Sequence, residues 1–126
     1  MTNQAEQSTI DRPDPLHDAR VRLAAGEWSE ALAAARAAGP DDARAAADRL
    51  DIVAEASWWL GNLGDCIEAR EQAYARYESV EELRAAGRCA VWLWEHHQIR
   101  AKPAIAGAWL RRARRALAGE AECVEL

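Results

Sequence analysis

The stretch WWLGNLGDCIEAREQAYARY (Trp58–Tyr77) decides the fold, because it reads as the end of one helix, a tight turn and a second helix. Less regular copies of this helix–turn–helix pattern occur upstream in RLAAGEWSEALAAARAA (Arg22–Ala38) and downstream in HHQIRAKPAIAGAWLRRARRAL (His96–Leu117). Internal repetition constrains an architecture before any single motif does. The sequence therefore predicts an all-α array of stacked helix pairs.

Length and composition agree with one small helical domain. The chain has 126 residues, which is the usual size of a single domain, and it contains six tryptophans but no phenylalanine. Its prolines stand only at positions that read as helix boundaries, and no usable stretch alternates as a strand does. We expect a flexible leader at residues 1–13, a domain of about six antiparallel helices at 14–119, and a tail at 120–126.

Capping signals place the helix starts. An aspartate at position 41 or 42 should cap the third helix, Asp65 the fourth, and Ser79 with Glu82 should form a capping box for the fifth. The dipeptide Lys102-Pro103 should open the sixth helix, since proline is favoured in a first turn.

Charge is unevenly distributed along the chain. The net charge is −5, yet residues 100–115 hold six basic side chains and no acidic one. An acidic body disfavours nonspecific nucleic-acid binding. The basic run has three interpretations: a solvated face of the last helix, a docking face for an acidic partner, or a face for nucleic-acid phosphates, which the lack of interleaved aromatic residues disfavours. Its arginines are Arg111, Arg112, Arg114 and Arg115.

Three cysteines, Cys66, Cys89 and Cys123, form no CxxC pair. The start of the chain lacks the apolar core of a signal peptide, and no apolar run is long enough to span a bilayer. These features favour reduced thiols, a cytoplasmic location and no membrane partner.

The spacing of small and apolar residues resembles the tetratricopeptide repeat, a pair of helices with a period of about 34 residues. Gly26–Leu32 aligns with Gly61–Ile67 at a spacing of 35, and the third copy begins at Ala101, after a wider spacing. The resemblance implies a short right-handed array in which small residues let the paired helices approach closely. Those small residues are Ala31, Cys66, Ala106, Ala38, Ala73 and Ala113.

In the repeat register, the first helices of the pairs would line a binding groove. The resemblance implies an acidic groove with tryptophan at its rim, which would bind a partner protein or peptide. Its acidic charge favours a basic partner, and tryptophan would be the anchor of the contact. The alternative is that the Trp58-Trp59 pair belongs to the core. The implied groove residues are Asp51, Glu55, Trp58, Trp59, Arg88, Val91 and Glu95.

A narrower resemblance covers about residues 20–118. The segments AEASWWLGNLGDCIEAREQAYARY, GRCAVWLWEHH and AIAGAWLRRARRAL look like the helical-repeat region of large actinobacterial LuxR-type transcriptional regulators. In that family the repeats precede a helix-turn-helix domain. No such domain is recognisable here, so DNA binding is not carried over.

Signals for catalysis or metal binding are missing from the sequence. His96 and His97 are adjacent, and adjacent helical residues point about 100° apart, so one ion would not take both. No phosphate loop, nucleophile elbow or zinc spacing occurs. We expect no catalytic residue, no metal and no cofactor.

The sequence therefore predicts a non-catalytic protein–protein interaction module, regulatory or an accessory subunit. The alternative is a small-molecule-sensing regulatory domain that holds an apolar ligand near Trp58, Trp92 and Trp94. Self-association or a docked partner at the last helix, by way of Trp109, is a further expectation.

Overall fold

The computed structural model describes residues 14–39 and 42–118, and within these ranges the chain is helical and contains no strand. The predicted all-α fold is confirmed. The leader predicted for residues 1–13 and the tail predicted for residues 120–126 lie outside the described residues. The described residues form six helices: α1 (His17–Ala24), α2 (Trp28–Ala37), α3 (Ala43–Trp59), α4 (Leu63–Ser79), α5 (Leu83–Ile99) and α6 (Pro103–Leu117).

Each helix packs mainly against its neighbours in the chain. Side-chain contacts also join α3 to α5, and they show that the two helices run in the same direction, since three contacts, one of them to Glu82 just before α5, join residues at one constant offset in the sequence. The contacts are Arg44 with Glu82, Asp51 with Cys89, and Trp58 with His96. Helix α4 contacts both of them and runs antiparallel to α5, because Cys66 near the start of α4 meets His96 near the end of α5. The three helices therefore share one surface.

A three-residue turn recurs between the helices. Its middle residue has a positive φ in four places: at Gly26 (77°), Gly61 (82°), Glu81 (58°) and Ala101 (57°). The residue after it donates its backbone N–H to the carbonyl five positions earlier, at 2.8 Å from Asn62 to Ser57 and at 2.9 Å in the other three turns. This is the Schellman geometry, which satisfies carbonyls that a helix end leaves open. The last three of these turns are evenly spaced along the chain, and they fix equal lengths for α4 and α5.

Small side chains allow the helices to approach closely. Of the six small residues implied by the repeat register, Ala38 is half-buried and the other five are fully or almost fully buried. The tightest approach is at Gly87 of α5, where an added Cβ would lie 2.5 Å from the Leu117 side chain of α6. Alanine and glycine thus set the spacing, and Leu16, Leu93, Leu117 and Tyr77 fill the remaining core.

The predicted helix caps form in one case and not in two others. Asp42 caps α3 by accepting a hydrogen bond from the Ala45 backbone at 2.7 Å. The predicted capping box is wrong: Ser79 is the last residue of α4, its hydroxyl donates to the Arg76 carbonyl, and Glu82 makes no side-chain cap. Asp65 lies in the first turn of α4 rather than at its cap.

Candidate functional site

The shared surface of α3, α4 and α5 contains a cavity of about 150 Å³, here called the Trp pocket. Helix α3 supplies three of its lining residues, α4 one and α5 two. Three indoles form most of the wall, and one acidic and one basic side chain give it polarity. The lining residues are Glu55, Trp58, Trp59, Arg70, Trp92 and His96.

Arg70 is the positively charged group of the Trp pocket, although its side chain is almost fully buried, at 6% exposure. Its Nη1 donates to the Asp51 carboxylate, and the guanidinium lies over the Trp92 ring at 5.7 Å from the ring centre. The ion pair neutralises Asp51, and the aromatic face gives the cation a second favourable contact. Nε of Arg70 is buried and has no hydrogen-bond partner among the described residues.

His96 is stacked between two of the indoles. Its ring centre lies 5.2 Å from that of Trp58 and 6.0 Å from that of Trp92. Burial, together with the nearby charges of Arg70 and His97, lowers the pKa of His96 to about 4, so its imidazole is neutral near pH 7. Nε2 lies 3.4 Å from the Cys66 sulfur, whereas Nδ1 is buried without a partner in the part of the chain that the structure describes.

The two described thiols beneath the Trp pocket are protonated. Cys66 and Cys89 are free and buried. Burial raises the pKa of the Cys66 thiol, and burial with the charge of Asp51 raises the pKa of Cys89 to about 12. The thiolate is the reactive form, so the contact of Cys66 with His96 does not create an activated nucleophile.

The exposed apolar side chains in and just after the carboxyl-terminal halves of α3 and α5 are here called the apolar rim. Trp59 and Trp92 remain 56% and 40% exposed, although indoles are highly buried on average. Trp28 of α2 stacks on Trp59, with ring centres 5.1 Å apart. Leu60, which directly follows α3, and Ile99, the last residue of α5, are also exposed. Clustered exposure of this kind marks interaction surfaces.

The structure brings some of the predicted groove residues together and separates others. Glu55, Trp58 and Trp59 line the Trp pocket, and Asp51 lies below it, paired with Arg70. Val91 is half-buried and packs against the core cluster that includes Leu93 and Trp109. Two further groove residues are exposed and lie outside the pocket lining, namely Arg88 and Glu95.

Sequence reasoning missed Arg70 and gave His96 no place in the groove. Arg70 is a charged residue on the apolar side of α4, between Ile67 and Ala73, and that position signals a buried ion pair. The position of His96 beside Trp58 results from the constant offset between α3 and α5. This offset depends on turn geometry that spacing in the sequence does not reveal.

The last helix differs from expectation in one respect. Trp109, expected to mediate self-association, is only 7% exposed, because it packs edge-on against Tyr74 with Arg112 lying 4.4 Å from its ring centre. The side chains that α6 presents to solvent are largely basic. Its exposed arginines are Arg111, Arg112, Arg114 and Arg115.

A second cavity, of about 180 Å³, lies among α2, α3 and α4 and has a mostly polar lining. Arg49 lines it and donates to the Ala35 and Arg36 carbonyls at 2.8 and 3.3 Å. These bonds satisfy the carboxyl end of α2, where a cation is electrostatically favourable. Helix capping therefore explains the position of Arg49 in this cavity.

No protein-family model, curated protein or solved structure matches the chain. The described helices include none with the length and apolarity needed to cross a bilayer.

Proposed function

We propose that the chain is a non-catalytic protein–protein interaction module and that its Trp pocket receives one anchor side chain from a segment of a partner protein. The observation that carries this proposal is the exposure of Trp59 and Trp92 around a cavity whose base is charged and hydrogen-bonded. Binding hot spots are commonly aromatic groups that enter a pocket of this kind, ringed by contacts that exclude water.

The apolar rim favours a macromolecular partner. A ligand confined to the cavity would leave Leu60 and Ile99 in water, whereas an extended segment lying across α3 and α5 covers them together with the indoles. The same surface is only weakly acidic, because Asp51 is paired with Arg70, and Asp48 with Arg20 and Arg44. A basic partner thus gains chiefly from the exposed Glu55 and Glu95.

The chemistry beneath the pocket supports binding rather than catalysis. The neutral His96 is enclosed by two rings, and the thiol that it contacts is fully buried. A partner resting on the indoles therefore meets a surface without an activated nucleophile. A cytoplasmic location belongs to this proposal, since the two described thiols beneath the pocket are free.

A small-molecule-sensing regulatory domain is the second candidate. It is favoured by the volume of the Trp pocket, which suits a single ring. Trp58 and Trp92 line the cavity as that candidate requires, whereas Trp94 packs into the core. The two candidates differ in whether a free ring compound or a peptide makes contact outside the cavity.

A displayed library of random peptides, selected on the full chain, tests the proposal. Enriched peptides are synthesised, and their Kd is measured by fluorescence anisotropy. We expect Trp92→Ala to weaken binding at least about tenfold, as for a hot-spot residue. Ile105→Ala is the matched control, since Ile105 is an exposed apolar side chain on α6 and its loss should leave Kd unchanged.

Circular dichroism melting of both variants establishes that they are folded. A selection that enriches no peptide, or peptides whose Kd is unaffected by Trp92→Ala, would contradict the interaction module. Binding of free ring compounds without any peptide would favour the sensor instead.

A further inference from the structure

We propose that α6 carries a second docking site, which binds a short acidic segment of a partner protein. The site is here called the basic face, and it consists of the exposed arginines Arg111, Arg112, Arg114 and Arg115. The Trp pocket is lined by residues of α3, α4 and α5, so the basic face is a separate surface and does not depend on the proposed anchor site.

The fold leaves the charges of the basic face uncompensated. Elsewhere in the described chain arginines pair with carboxylates, as Arg44 does with Glu82 and Arg70 with Asp51. The arginines of the basic face form no ion pair with a carboxylate of the described residues. Like charges on successive turns of one helix repel each other. The negative end of the helix dipole offsets this repulsion for the two arginines of the last turn. An anionic ligand would therefore relieve a repulsion that the fold itself leaves.

Arg112 is held in place without a ligand. Its guanidinium lies 4.4 Å from the centre of the Trp109 ring, which is within cation–π distance. Trp109 makes a T-shaped contact with Tyr74, whose hydroxyl donates to Glu78 at 3.1 Å. A guanidinium that packs on a ring can still donate two parallel hydrogen bonds to one carboxylate. Because Arg112 is already positioned, less side-chain freedom is lost when a carboxylate binds.

The surroundings of the basic face favour a short acidic segment over a nucleic acid. Single strands bind by stacking their bases on aromatic side chains, whereas Trp109 beneath the basic face is only 7% exposed. The four arginines span a rise of about 6 Å along the helix, which a few carboxylates can cover. A long polyanion would extend past them and meet the carboxylate of Glu78 and a molecule of net charge −5.

The test is an NMR titration of the full chain with N-acetyl-hexaglutamate amide at low salt, where exposed charges are least screened. A seven-nucleotide oligothymidylate, which has the same charge, is titrated for comparison. We expect hexaglutamate to bind with its largest chemical-shift changes in α6. The double substitution Arg111→Gln and Arg115→Gln should weaken its Kd about fivefold, because two exposed charge pairs are lost. This variant keeps Arg112 on Trp109, and circular dichroism melting establishes that it is folded.

The matched control is the pair Arg36→Gln and Arg88→Gln, which removes the same charge from exposed arginines of α2 and α5. The control pair should leave the Kd of hexaglutamate nearly unchanged, and so should Trp92→Ala, which tests the Trp pocket. Failure of the basic face therefore leaves the proposed function standing, and failure of the Trp pocket leaves the basic face standing.

Three results would overturn the proposal. The first is no binding of hexaglutamate, or an equal loss of affinity in the control pair. The second is tighter binding of the oligothymidylate through Arg111 and Arg115, which would assign the basic face to nucleic acid. The third is a dimer, detected by light scattering, that Arg111→Gln with Arg115→Gln dissociates, since the occupant would then be a second copy of this chain.

Discussion

His96 gives the fold a pH dependence of defined sign. In the folded chain its pKa falls to about 4, mainly through burial, while an unfolded histidine titrates near its ordinary value of about 6.5. The unfolded chain therefore takes up the proton first, and the stability present above about pH 6.5 declines as the pH falls toward about 4. We expect His96→Gln to remove this component, on the order of 3 kcal/mol, from urea unfolding measured across that range.

The matched control for this prediction is His17→Gln, which changes an exposed histidine of α1. It should leave the pH dependence of the unfolding free energy close to that of the wild type. If His96→Gln and the wild type differ by a constant amount at every pH, the buried imidazole is not responsible for the loss of stability.

At the level of single residues, the sequence revealed the aromatic half of the site better than its polar half. Glu55, Trp58 and Trp59 could be placed on one face because they share a helix, and helical spacing fixes their relation. Arg70 and His96 join them from α4 and α5. Their meeting depends on how three helices are offset, which one helix's periodicity does not encode.

The recurring turn makes a prediction at the level of the helical elements. Glu81 and Ala101 hold a positive φ that residues with a Cβ adopt at a cost, whereas Gly61 holds the same conformation freely. We expect Glu81→Gly and Ala101→Gly each to raise the unfolding free energy by about 0.5–1 kcal/mol. Gly61→Ala should lower it by about the same amount, although a Cβ there would meet no atom within 4 Å.

Chemical denaturation of the three variants measures these effects. Destabilisation by both glycine substitutions would show that Glu81 and Ala101 make side-chain contributions that exceed the cost of their backbone conformation. Because the Cβ added by Gly61→Ala would meet no neighbouring atom, the change in unfolding free energy reports the cost of the backbone conformation alone.

Helix number and order were predictable because apolar spacing and proline positions are local signals. The capping box at Ser79 and Glu82 was wrong because α4 continues through Ser79 and ends in a Schellman turn, after which α5 begins without a side-chain cap. The spacing to the third copy is wider because α4 and α5 have 17 residues each, whereas the interval before it holds the 10-residue α2 with the 17-residue α3.

For the whole molecule, the pattern of contacts predicts uneven stability. Helices that pack mainly on their chain neighbours behave as coupled units, and units with small interfaces open first. Helix α1 has eight residues, of which only Ala19 is buried, and the buried residues of α2 are Ala31 and Ala35. The central helices bury larger side chains, among them Tyr77 and Leu93.

Native-state hydrogen exchange tests this gradient. We expect amides of α1 and α2 to exchange through openings of lower free energy than those of α4 and α5, with α6 protected through its close packing at Gly87 and Leu117. Equal opening free energies in all six helices would instead show that the chain unfolds as one cooperative unit.

The even spacing of Gly61, Glu81 and Ala101 has a consequence for how this chain can be lengthened. Residues 63–102 form a cassette of two helices with their connections, and the parallel course of α3 and α5 restores the direction of the chain after each cassette. A tandem duplication of that cassette would add length without reversing the exposed face. The added copies of Trp92 and His96 would then stand beside the originals, giving a surface whose binding positions are set by the number of cassettes.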